Sequence, residues 1–257
     1  MTIDLQVSID GEIGEVRFAK PPHNFACPEL LRGIADALEA LDAEPQVRCT
    51  VLSSVGKAFC AGADLAGDES ITGEQGMNAI GGLYTQAERI FRRRKPMIAA
   101  VQGAAIGAGL GLALTADFRV AGPGARLSSN FVRLGFHPGF GLTHTLPRLI
   151  GAQRASWMML SAERVKPADA LTWGLVDRLV GEGEEREGAR RMAREIAFNA
   201  PLALSAVRST LTSGFADAVV EAMRQEHAAQ SALKPTRDYA EGVASVFERR
   251  DPQWLGA

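Results

Sequence analysis

The chain has 257 residues, 46% of them hydrophobic and 23% charged, with a formal net charge of −2. That is the composition of a globular protein with room for one large domain, or a domain plus a small helical appendage. The balanced charge and a pI near 6.1 argue against nucleic acid or an anionic membrane as the main partner.

Taken in chain order, Leu5, Val7, Ile9, Ile13, Val16 and Phe18 alternate and predict a β-hairpin turning at Asp10-Gly11. Leu30, Leu31, Ile34, Leu38 and Leu41 recur at helical spacing over 29–42. Arg48 to Ser53 reads as a short strand, Ile71 to Arg94 as mostly helix stopped by Lys95-Pro96, and 97–103 as a buried strand. The glycine-rich 106–117 reads as helix and 118–122 as strand. From Gly141 onward helical spacing dominates, with one short strand near 175–180. Helices between Glu184 and Arg249 break at Pro201, Ser213-Gly214 and Pro235. Strand–helix alternation predicts an α/β core over 1–200, followed by a helical region over 201–257 suited to packing on a neighbouring subunit.

The three cysteines, Cys27, Cys49 and Cys60, form no CxxC and no zinc spacing. A reduced cytoplasmic chain with no metal site is the expectation. No basic stretch leads into an apolar run at the start, and no run of about 18 apolar residues exists, so neither a secretion signal nor a membrane span is expected.

Two segments invite chemistry. In VGKAFCAGADL (55–65), an apolar strand ends in small residues before Asp64. In AAVQGAAIGAGLG (99–111), a buried strand runs into glycines and then a helix. Either turn can present bare backbone N–H groups to an oxyanion. Either can also be a tight turn, with Asp64 as an N-cap. The second segment fails the dinucleotide fingerprint because position 112 is Leu, and it lacks the lysine of a P-loop. No GxSxG occurs in the chain.

GKAFCAGADL (56–65), KPMIAAVQGAAIGAGLGLALTADFRVA (95–121) and LGFHPGFGLTHTLPRLIG (134–151) closely resemble the crotonase superfamily, the enoyl-CoA hydratase/isomerase family. GLVDRLV (174–180) and EGVASVFERRDPQW (241–254) extend the likeness over nearly the full length. The resemblance implies a spiral of ββα units with a C-terminal helical trimerisation region, assembled as a homotrimer or dimer of trimers. It implies an acyl-CoA ligand, with coenzyme A part of the substrate and no separate cofactor, and a role in fatty acid metabolism. By motif position, the N–H groups of Ala63 and Ala108 form an oxyanion hole for a thioester enolate. Phe25, Ala61, Asp64, Leu65, Gly107, Gly111, Phe131, Pro138 and Gly139 fall on ligand-contacting stretches. Arg249 and Arg250 match a basic pair that reaches CoA phosphates, with Trp254 beside them.

The resemblance implies two proton-moving carboxylates in hydratases and one after the loop proline in isomerases, and none is at its position. Gly111, Phe131 and Gly139 stand there instead. An oxyanion hole without acid or base moves no proton, so ordinary hydration is not expected. His137 is the candidate substitute, with a loop histidine capping carbonyls as the alternative. Tyr84 and Glu88 read as exposed, Cys60 as small core, and Asp117 and His144 as structural. RRRK (92–95) reads as a solvated helix end rather than an RNA contact. Two functions follow: an acyl-CoA lyase or isomerase with unusual proton transfer, or a non-catalytic acyl-CoA binding protein.

Overall fold

The computed structural model describes residues 2–65 and 71–257. Strands β1 (Asp4–Asp10) and β2 (Ile13–Ala19) pair antiparallel around Gly11, as the alternation predicts. β3 (Cys49–Ser54), β4 (Met97–Val101), β6 (Phe118–Ala121) and β8 (Arg178–Leu179) then add in parallel, giving the order β1-β2-β3-β4-β6-β8. β3 and β4 are buried at every residue, because helices cover both faces of a parallel sheet.

On one face lie α1 (Pro28–Ala43) and α2 (Gly76–Phe91). The five α1 positions at helical spacing are 0–2% exposed. Each such side chain is worth roughly 1.5–3 kcal/mol of burial. On the other face, Ala189, Met192, Ala193 and Ala197 of α7 (Glu185–Ala197) pack on Val51, Ile98, Ala100 and Val120.

Two strands escape the sequence reading. β5 (Ala104–Ile106) and β7 (Arg126–Ser128) form a separate parallel pair. Each is three residues long, too short to show a period. Their position matters, because β5 feeds α3 (Ala108–Leu114) and β7 feeds a 3-10 turn, Phe131–Leu134.

The remaining helices are α4 (Leu142–Ile150), α5 (Ala152–Ser161), α6 (Pro167–Trp173), α8 (Pro201–Leu211), α9 (Phe215–Leu233) and α10 (Arg237–Glu248). The breaks at Pro201, Ser213-Gly214 and Pro235 all separate helices, as expected. Pro201 starts α8, where a missing N–H costs nothing. Among the described residues no helix is long and apolar enough to cross a membrane, and no cluster of His, Cys, Asp or Glu could hold a metal ion.

Candidate functional site

The two glycine-rich turns, more than 40 residues apart in sequence, meet along β5. Cys60 N–H donates to Ala104 O at 3.0 Å, and Ile106 N–H donates to Cys60 O at 3.1 Å. The approach is close enough that a Cβ on Gly109 would stand 2.0 Å from Cys60 O, so only glycine fits there. Segment 60–63 is held on its other side by Ala26, whose N–H donates to Gly62 O at 2.8 Å.

A buried ion pair locks the same loop from below, with Lys20 Nζ 3.1 Å from Asp64 Oδ2. Burial lowers the Lys20 pKa, but Asp64 and Cys27 outweigh it and the net shift is upward. Asn24 fixes the preceding turn: its amide donates to Val55 O and Ala58 O, and its Oδ1 accepts the Lys20 N–H at 2.7 Å. The sequence gives no sign of the Lys20 role, since its partner lies 44 residues away.

Ala61, Ala63, Asp64 and Leu65 from the first turn share one cavity of about 220 Å³ with Gly107 and Ala108 from the second, and with Phe25. Phe131, Leu134, Phe136, Val246 and Phe247 make the rest of its wall almost wholly apolar. Among the described residues, neither the Ala63 nor the Ala108 N–H has a hydrogen-bond acceptor. Ala108 opens α3, so its free N–H is a normal consequence of a helix start. Among the described residues, the one carboxylate on the wall is Asp64, engaged with Lys20. Leu134, Phe136, Val246 and Phe247 escape the sequence reading because apolar wall residues look like core.

Several of the expected contact residues lie outside this wall. Gly111 is buried in α3, where a Cβ would stand 2.5 Å from the Phe140 ring. A Cβ on Gly139 would meet the Tyr84 hydroxyl at 2.0 Å. Pro138 is buried, and His137 is half-buried with Nδ1 2.7 Å from Pro138 O. That local contact fits the capping alternative. Arg249 ends α10 in the left-handed region. Arg250 pairs with Glu241 and Glu248 rather than standing free.

Other expectations need correction. Tyr84 faces inward, donating to Gln230 Oε1 at 2.9 Å, because α9 covers that side of α2. Glu88 does stay on the surface, paired with Arg92. Arg93 of the RRRK run is buried and bonds Asp117 at 2.6 Å, so this part of the run is an internal ion pair rather than a solvated end. Asp117 also accepts the Met97 N–H at 2.8 Å and pairs with Arg208 at 3.2 Å, a structural role as expected. Cys60 is buried, and burial pushes its thiol up to about 11, which leaves it without thiolate character at neutral pH.

The loop bearing His137 to Phe140 is anchored by α9. Gln230 Nε2 donates to His137 O at 3.0 Å. Glu226, fully buried, accepts the N–H groups of Gly141 at 2.7 Å and Thr143 at 2.9 Å and the Thr143 hydroxyl at 2.6 Å. It thereby caps α4, whose own N-cap residue is a glycine with no side chain to do so.

Burial pushes the Glu226 carboxyl up from 4.5 to about 7, against the opposing pull of the Thr143 and Gly141 donors. A folded-state pKa above the unfolded one means that the folded protein holds the proton longer. Stability should therefore fall as pH rises from about 4.5 to about 7, and level off above. The Glu226→Gln variant should lack this component. Melting temperatures of both proteins between pH 4.5 and 8 will show it as a difference that shrinks toward high pH in the wild type's disfavour. A constant difference across that range would refute it.

The whole-chain comparisons agree with this architecture. The family profile described as enoyl-CoA hydratase/isomerase matches residues 8–257. The chain is 34% identical to a putative enoyl-CoA hydratase of Thermus thermophilus, over 90% of its own length and 92% of the relative's. It is 35% identical to a mevalonyl-coenzyme A hydratase of Beauveria bassiana, over 93% and 90%. Among solved structures, an enoyl-CoA hydratase/isomerase from Pseudoalteromonas atlantica superposes with a TM-score of 0.86 at 26% identity, covering 98% of this chain and 99% of that one.

Proposed function

The chain belongs to the enoyl-CoA hydratase/isomerase family, and we propose that it binds acyl-CoA thioesters and stabilises their enolates through the N–H groups of Ala63 and Ala108. The observation that carries this reading is the pair of unengaged N–H groups from two distant turns in one apolar cavity. Each such donor contributes roughly 3–4 kcal/mol to an oxyanion in a site that excludes water. Phe25 and the 61–65 loop line the thioester's path, and Lys20–Asp64 holds that loop in place.

Proton transfer is where this chain departs from a hydratase. Gly111 and Gly139 are filled against Phe140 and Tyr84, and Phe131 presents a ring to the cavity. The protein therefore acts on a substrate that brings its own acid or base, or on one whose enolate forms without deprotonation by the protein. A second reading, a non-catalytic acyl-CoA carrier, is favoured by one observation: among the described residues, the one carboxylate on the wall is tied to Lys20.

Subunit association fits the face formed by Phe198, Leu202, Val207 and Leu211, which are 59–89% exposed. An apolar patch of this kind marks an interaction surface, and we assign it to contacts between copies of the chain in a trimer or dimer of trimers.

Acetoacetyl-CoA tests the oxyanion pair directly, because its enolate has its own ultraviolet band. Binding should bring that band up at a pH where the free ligand is still neutral. Tight binding with no enolate band would overturn the oxyanion assignment. A bound enolate with no turnover of any thioester in a panel would select the carrier reading.

A further inference from the structure

The acyl cavity does not end at Phe131. Asn130 and Val246 also line a second cavity, of about 720 Å³, whose wall includes Arg133, Trp157, Ser161, Glu163 and Arg164. Asn130 is therefore the polar gate post between the two spaces. It sits at the N-cap of the 3-10 turn, a position where an Asn side chain normally accepts a backbone N–H, yet it makes no capping bond. Its Oδ1 instead lies 3.2 Å from the point that a Gly107 Cβ would take. A local rule broken in this way, next to a binding cavity, marks a side chain kept for another partner.

The charges beyond Asn130 point the same way. Arg133 follows Asn130 by three residues in a 3-10 turn, which puts the two side chains on one face. Among the described residues, neither Arg133 nor Arg164 has a carboxylate partner. Among the described residues the one acid on that wall, Glu163, already accepts the Trp157 indole N–H. The residues that line both spaces, Asn130 and Val246, carry no negative charge that would repel an anion passing from the first space to the second.

We infer that the two cavities form one binding channel for acyl thioesters whose acyl group ends in a carboxylate. The inference rests on the thioester reading above, with the carbonyl at Ala63 and Ala108. The acyl chain crosses the apolar wall of Phe131, and its terminal carboxylate meets the Asn130 amide and the guanidinium groups of Arg133 and Arg164. A planar guanidinium suits a carboxylate, which it can bind through two parallel hydrogen bonds.

Calorimetry with glutaryl-CoA and valeryl-CoA, which share chain length and differ in the terminal carboxylate, tests the channel. The full-length wild type should bind glutaryl-CoA about tenfold more tightly, the scale of one charge-assisted hydrogen bond. The gap should narrow as KCl rises. In Arg133→Gln and in Arg164→Gln the two affinities should converge. Equal affinities in the wild type overturn the proposal. So does an equal weakening of both ligands in the arginine variants, which would assign those cations to the shared CoA portion. A wild type that binds neither ligand sinks the thioester reading as well, whereas binding of valeryl-CoA without a preference leaves that reading standing and removes only the channel.

Discussion

Gly111→Glu, which would put a carboxylate on α3, is expected to destabilise the chain by more than about 3 kcal/mol. The reason is packing as well as charge. Phe140 fills the space above Gly111, and its ring and Cβ lie 2.5–2.6 Å from where a side chain would begin. Phe140 is itself 1% exposed and held at φ 63°, a conformation that is strained for a bulky residue. A glycine inside a helix costs about 1 kcal/mol relative to alanine. Two locally unfavourable residues thus fit each other, and neither can change alone. Phe140→Gly removes the Cβ as well as the ring and suits the positive φ, so the double variant should regain part of the lost stability. Urea unfolding midpoints of the three variants measure this. A Gly111→Glu protein as stable as the wild type would contradict the packing argument outright.

Ala108→Pro should abolish enolate stabilisation with little effect on the fold. Ala108 is the first residue of α3, where proline is well tolerated and the N–H has no protein acceptor to lose. Removing one oxyanion donor costs about 100- to 1000-fold. For bound acetoacetyl-CoA this appears as an ionisation moved up by about 2–3 pH units. Ala108→Gly keeps the N–H and should behave like the wild type. If the proline variant ionises the ligand at the wild-type pH, Ala108 is not the donor.

Much of this protein is legible without coordinates. Hairpin, long helices and the breaks at Pro201, Ser213-Gly214 and Pro235 follow from alternation, helical spacing and turn chemistry. The two glycine-rich turns are visible as candidates, and the absence of acids at 111, 131 and 139 is a plain fact of the sequence. Tyr84 and Arg93 read wrongly because helical periodicity identifies one buried face but not a second face covered by another helix. Here α9 covers Tyr84, and Asp117 receives Arg93.

The sequence by itself determined the family, the α/β class and the absence of acids at 111, 131 and 139, because these depend on residue identity and order along the chain. Only the tertiary structure decided what the turns and gaps become. Three-residue strands β5 and β7 bring Ala63 and Ala108 to one cavity, and carry Asn130 to the boundary of the next. Lys20 meets Asp64, and Glu226 caps a helix that starts 84 residues earlier, between Leu142 and Ile150. Gly111 becomes the floor beneath Phe140. Such contacts join residues far apart in sequence, and their energies come from close packing and burial that no local pattern records.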